Sequence, residues 1–313
     1  MSPTLVILLV GCLVASHCAI VGTFLVLRKM ALLGDAISHA VLPGIAIAFL
    51  LGGGRAPWAV VLGAGAFGVL TVFLVELFVR TRRLKEDASI GVVFPALFAV
   101  GVVLISRYAY SVDIDTECVL YGEIAYSPWD SLLLFGRDWG PKALWINGGV
   151  LALNLLLVAF FFKELKLSSF DPRLSAALGF SPVLIQYLLM SAVSITVVGA
   201  FESVGAILVV AMLVVPPATA YLLSDRLGTM LILGVLFGCL SAVAGYGLSR
   251  AIDCSIAGAM ACSAGLFFAL ALLFSPRYGI VAQSVKQRRK VRLIYASLGK
   301  PGPTVAPDKK AGR

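Results

Sequence analysis

Asp35 and His39 stand four residues apart in an otherwise apolar segment, RKMALLGDAISHAVLPGIAIAFLL, residues 28 to 51. On a helix that spacing sets both side chains on one face, so a carboxylate and an imidazole open onto the same lateral space. Carboxylate oxygen with neutral imidazole nitrogen is a borderline ligand pair, suited to Mn2+, Fe2+ or Zn2+ rather than Mg2+ or Cu+. The same spacing also suits a buried Asp–His hydrogen bond that locks two helices, and spacing alone leaves both readings open.

The elements that must position this pair follow from composition. Of 313 residues, 60% are hydrophobic and only 13% charged, and the mean hydropathy is +1.00. That excludes a soluble globular domain and specifies an all-α, polytopic integral membrane protein. Apolar runs long enough to cross a hydrocarbon core fall near residues 4–27, 34–51, 57–79, 88–107, 143–162, 184–201, 204–223, 229–249 and 255–275. The expectation is therefore about nine transmembrane helices. Eight or ten remain admissible, because Phe201-Glu202-Ser203 reads either as a tight hairpin or as a break inside one longer helix.

The distribution of Lys and Arg sets the orientation. With nine spans, the N-terminus outside and the C-terminus cytoplasmic, the inner loops and tail hold 20 of the 25 basic residues. This accounts for the net charge of +9 without nucleic acid. Residues 1–280 read as a transmembrane permease domain, and 281–313 as a basic, disordered cytoplasmic tail at anionic membrane lipid. Leu9-Val10-Gly11-Cys12 resembles a lipoprotein processing box, but no basic residue precedes Arg28, so residues 4–27 are expected to be a retained helix. The six cysteines (12, 18, 118, 239, 254 and 262) lack CxxC spacing and read as small apolar fillers, with a Cys118–Cys254 bridge as the alternative.

Two segments break the membrane pattern. The outer one, residues 108–142, is acidic and aromatic; Asp113, Asp115 and Glu123 are its leading candidates for attracting a cation, against an ordinary interface belt with solvated carboxylates. The inner one is a short helix within residues 168–181. Asp171 is placed to cap it, Pro172 suits its first position and Gly179 stops it. Leu174, Ala177 and Leu178 form an apolar face that fits a groove on another protein or lies along the membrane surface.

LRKMALLGDAISHAVLPGIAIAFLL, EDASIGVVFPALFAVGVVLIS, FDPRLSAALGF and GAILVVAMLVVPPATAYLLSDRL together resemble the membrane permeases of ABC importers for manganese, zinc and iron. The resemblance runs collinearly from residue 5 to about 275. It implies a bacterial cytoplasmic (inner) membrane protein that pairs with a second copy or a related permease. It further implies two cytoplasmic ABC ATPase subunits and an extracytoplasmic metal-binding protein as partners. Asp35 and His39 would then line the pathway and coordinate the transported Mn2+, Zn2+ or Fe2+, with no cofactor permanently bound. Phe170, Asp171, Pro172, Arg173, Leu174, Ala177, Leu178 and Gly179 would form the ATPase-coupling helix.

Glu202 departs from the family pattern, which favours a small or apolar residue there. It is a candidate third ligand or gate residue, with a surface carboxylate as the plain alternative. Pro216 and Pro217 are expected to kink the seventh run and serve as a hinge or a packing device. His17 is expected in a helix–helix hydrogen bond, Glu76 and Arg80 in a local ion pair, and Asp87 in the first turn of its helix. The chain contains no GxxxxGK[ST] loop, so it is read as a non-catalytic subunit whose ATP hydrolysis comes from a partner. The competing expectation is an ion-coupled secondary metal transporter that uses the Asp–His pair as a proton relay.

Overall fold

In a computed structural model the chain is described over residues 2–51, 57–81, 84–108, 124–134, 137–275 and 279. Its elements are α1 (Pro3–Leu27), α2 (Ala31–Leu51), α3 (Pro57–Arg80), α4 (Glu86–Tyr108), β1 (Ser131–Leu134), β2 (Arg137–Pro141), α5 (Lys142–Phe160), α6 (Phe162–Phe170), α7 (Pro172–Ala177), α8 (Pro182–Leu223), α9 (Leu227–Ile252) and α10 (Ile256–Phe274). Among the described residues, seven segments are long and apolar enough to cross a membrane, and α2 and α3 run for 21 and 24 residues.

The all-α expectation is corrected between residues 131 and 141. There β1 and β2 pair antiparallel, Leu134 opposite Arg137 and Leu133 opposite Asp138, with an irregularity before Ser131 meets Pro141. Gly140 at φ 86 takes the left-handed angle that this irregular ladder needs.

α8 contains 42 residues. Straight, it would extend about 63 Å, roughly twice a hydrocarbon core. Its backbone leaves the helical region at Gly205 (φ 77, ψ 165), and its two stretches long and apolar enough to span a membrane are Pro182–Phe201 and Ser203–Leu223. The sequence pointed to 201–203 for a break and to Pro216–Pro217 for a kink; the non-helical angles lie instead at Gly205. Both prolines sit inside the second half of the helix. Only glycine adopts the Gly205 conformation without strain, so Gly205→Ala should cost about 2 kcal/mol. A lowered thermal midpoint of the purified chain checks this.

α1 and the two halves of α8 form the centre, with α9, α10 and α5 on one side and α2, α3 and α4 on the other. Phe24, Leu25, Leu33, Ile37, Leu208, Met212 and Leu213 are fully buried there. In lipid, apolar burial gives little drive for helices to associate, so close backbone approach and polar contacts do that work. Pro217 has no N–H, which deprives the Leu213 carbonyl of its helical donor. Gly22 of α1 packs directly over that carbonyl, where any Cβ would overlap the oxygen.

The α1–α2 corner is equally local in origin. Lys29 takes φ 61, while the Lys29 amide donates to Val26 O at 3.1 Å and the Met30 amide to Leu25 O at 2.9 Å. This is a left-handed helix stop built on lysine rather than glycine.

Candidate functional site

α2 begins immediately after that corner, so Asp35 and His39 occupy its second and third turns. His39 Nε2 and Asp35 Oδ1 are 3.6 Å apart, with the side chains 33% and 45% exposed in the single chain. That separation is too long for a hydrogen bond. Two ligand atoms each about 2.1 Å from a tetrahedral ion stand about 3.4 Å apart. The pair is therefore spaced for an ion between the two groups with a shift of only a few tenths of an ångström.

Phe94 and Phe98, one turn apart on α4, wall the imidazole at centroid distances of 5.8 and 6.0 Å, the second edge-on. The aromatic wall limits ring rotation and holds the nitrogen toward Asp35. Ser38, between the two, is occupied with its own helix, its Oγ donating to Gly34 O at 3.0 Å. Pro43 follows His39 by four residues and leaves the His39 carbonyl without its helical donor.

Among the described residues no group of three or more His, Cys, Asp or Glu side chains converges. Among the described residues the site thus offers one carboxylate and one imidazole. Asp113, Asp115 and Glu123 lie outside the described residues, as does Cys118. Glu202 lies on α8, three residues before Gly205. The basic tail, 281–313, also lies outside.

The second predicted element forms as α7. Asp171 Oδ1 accepts from the Arg173 and Leu174 amides, both at 3.0 Å. Gly179 takes φ 89 and the Phe180 amide closes back on Ser175 O at 3.1 Å, ending the helix. Phe170, Leu174 and Leu178 are exposed, and Ala177 with them, while Ser175 is fully buried on the opposite side. Pro172 occupies the first helical position. Asp171→Ala should cost α7 about 1 kcal/mol, a roughly fivefold rise in hydrogen exchange over residues 172–178.

Several contributors had no motif to announce them. Arg28 donates from Nε to Ser169 Oγ and from Nη2 to Ser168 Oγ, both at 3.1 Å, tying the α1–α2 corner to the end of α6. Burial pushes its guanidinium down to about 10, which leaves it cationic at neutral pH. His17 forms the expected interhelical bond, its Nε2 3.1 Å from Asn147 Oδ1, while Asn147 Nδ2 donates to Ser203 Oγ at 2.9 Å. Asn154 Nδ2 donates to Thr196 Oγ1 at 2.7 Å. The signal that could have found them is spacing, since Asn147 and Asn154 recur after seven residues, one face of an apolar helix. The expected Glu76–Arg80 pair forms at 3.3 Å.

Comparison with known proteins places this architecture. The chain is 50% identical over 280 residues to the manganese transport system membrane protein MntD of Bacillus subtilis, covering 90% of this chain and 95% of that one. It is 48% identical over 286 residues to the zinc transport system membrane protein TroD of Treponema pallidum, covering 91% and 77%. Among solved structures, PsaBC from Streptococcus pneumoniae in complex with Fab matches with a TM-score of 0.74 at 32% identity, covering 89% of this chain and 94% of that one. The profile of the ABC 3 transport family matches residues 3–275, nearly the whole helical bundle, and the chain belongs to that family.

Proposed function

We propose that this chain is the transmembrane permease subunit of an ATP-driven importer that passes Mn2+, Zn2+ or Fe2+ into the cytoplasm, with Asp35 and His39 as its ligands to the moving ion. The observation that carries this reading is the 3.6 Å carboxylate–imidazole gap on an apolar helix, accessible on one side and walled by aromatics on the other.

Two ligands per chain hold a divalent ion loosely. A second permease copy, or a related permease, supplies a matching pair, and water completes the shell; a loose site can release its cargo. An extracytoplasmic metal-binding protein delivers the ion, and cytoplasmic ABC ATPases drive the change of access. Their motion enters through the α7 element, Phe170 to Gly179. Glu202, Asp113, Asp115 and Glu123 serve on the approach to the site, and Pro216 and Pro217 flex the second half of α8.

Nine spans, an external N-terminus and an inner-membrane location complete this reading, with residues 281–313 as a cytoplasmic tail. Two polar contacts support the topology. The Arg28 bonds to Ser168 and Ser169 put the basic α1–α2 corner at the same end as the basic α6–α7 elbow. Tyr246 Oη lies 3.0 Å from Thr4 Oγ1, which pairs the start of α1 with the last turns of α9 at the opposite end.

The test is uptake of each metal, supplied separately to cells starved of it, by the intact chain with an active or an ATP-hydrolysis-dead ATPase. Uptake of one metal that vanishes with the dead ATPase is the expected result and names the cargo. Uptake that persists with the dead ATPase overturns ATP-driven import in favour of ion-coupled secondary transport.

A further inference from the structure

Between the α1–α2 corner, α3 and the α6–α7 elbow lies a cavity of about 420 Å³ whose lining includes neither Asp35 nor His39. Arg28, Lys29, Ser168 and Ser169 line it together with the half-buried apolar residues Leu27, Val79 and Pro182. The guanidinium has five N–H donors, of which two go to the serine hydroxyls. No other hydrogen-bond partner of the guanidinium stands among the described residues. Among the described residues no carboxylate stands within 4 Å of it. Glu76 also lines the cavity, but its carboxylate is engaged by Arg80 at 3.3 Å. Lys29 is held beside Arg28 by its left-handed backbone (φ 61), a conformation that costs about 1 kcal/mol in a non-glycine residue.

A partly buried guanidinium with no carboxylate within 4 Å among the described residues, an adjacent lysine and apolar residues lining the same cavity describe a receptor for an anion with an apolar body. We propose that this cavity binds a phosphate-bearing amphiphile of the membrane, its phosphate on Arg28 and Lys29 and its glycerol and first acyl carbons against Leu27, Val79 and Pro182. Arg28 gives the planar, multi-donor contact that phosphate oxygens fit, and Lys29 adds a point charge. Occupancy would bridge the corner that opens α2, two turns below His39, to the elbow that carries α7. The phosphate chemistry is shared by an anionic phospholipid headgroup and by free inorganic phosphate, and the apolar lining favours the lipid.

The experiment is native mass spectrometry of the full chain in detergent, titrated with phosphatidylglycerol or phosphatidylcholine, with and without millimolar inorganic phosphate. One phosphatidylglycerol should be retained about tenfold more tightly than phosphatidylcholine, which also carries a phosphate but no net negative charge. Arg28→Gln should remove that preference, and so should Lys29→Gln, whose exposed side chain makes no contact the fold requires. Arg226→Gln, at an exposed position before α9, should leave it intact. Displacement of the lipid by inorganic phosphate supports the anion site and identifies free phosphate as a sufficient ligand; failure to displace it assigns the site to the lipid. Equal retention of both lipids, a preference that survives both Arg28→Gln and Lys29→Gln, or an equal loss in Arg226→Gln overturns the proposal.

Discussion

Asp35→Asn abolishes metal uptake, by at least about 100-fold, in cells where the variant reaches the membrane at the normal level. Removing a residue that merely orients a metal ligand costs 10- to 100-fold in affinity or activity, so removing a ligand costs at least as much. Asparagine is chosen because it separates the two roles that the spacing allows. Its amide oxygen still accepts a hydrogen bond from an imidazole N–H, more weakly than a carboxylate does, so the geometry of a helix lock is kept. A divalent ion between the two groups is not, since the neutral amide removes the negative charge that Asp35 sets beside it. The gap of 3.6 Å is wide for a hydrogen bond and leaves room for the ion. His39→Cys extends the test, because a thiolate is a softer ligand and should turn residual uptake toward Zn2+ and away from Mn2+. Normal uptake by Asp35→Asn would reduce the pair to a structural contact.

Gly22→Ala carries the largest expected penalty to folding, about 3 kcal/mol or more, the upper end of the cost of overpacking. The added methyl would overlap the Leu213 carbonyl oxygen and lie 2.9 Å from its carbon. Backbone on α8 cannot step aside as a side chain can, and the carbonyl points outward because Pro217 gives it no helical donor. Gly34→Ala meets the end of the same leucine's side chain, which can rotate, and should cost far less. Gly91→Ala meets nothing within 4 Å and should be neutral or slightly stabilising as alanine favours the helix. The measurement is thermal stability by fluorescence-detected size exclusion for all three variants. Any order other than Gly22 well below Gly34, with Gly91 at wild type, contradicts this packing.

What the sequence disclosed and what it withheld divide by range. Asp35 and His39, the Asp171 cap, the Gly179 stop and the Glu76–Arg80 pair all depend on neighbours within about two helical turns, and residue type at fixed spacing announces such contacts. Apolar runs located the helices for the same reason, since each must span the bilayer by itself. Arg28 meets Ser168 and Ser169 about 140 positions away, and His17 meets Asn147 after 130, pairings that only the packed bundle creates. The β-hairpin escaped because the aromatics around it also suit a membrane interface. The break fell at Gly205, not in Phe201-Glu202-Ser203, because the polar cluster announced a discontinuity while the backbone angle required glycine.

The exposed apolar residues around α7 bear on cell biology as well as on coupling. Phe170 at 55% exposure, Leu174 at 47%, Leu178 at 59% and Phe180 at 40% stand together at the elbow of the single chain. Where α7 docks an ATPase as proposed, a subunit synthesised ahead of that partner would display this apolar patch to chaperones and membrane proteases, which recognise such surfaces. Its abundance would then follow stoichiometry: the orphan copy would be degraded, and supplying more ATPase would raise the permease level without any change in its own transcription.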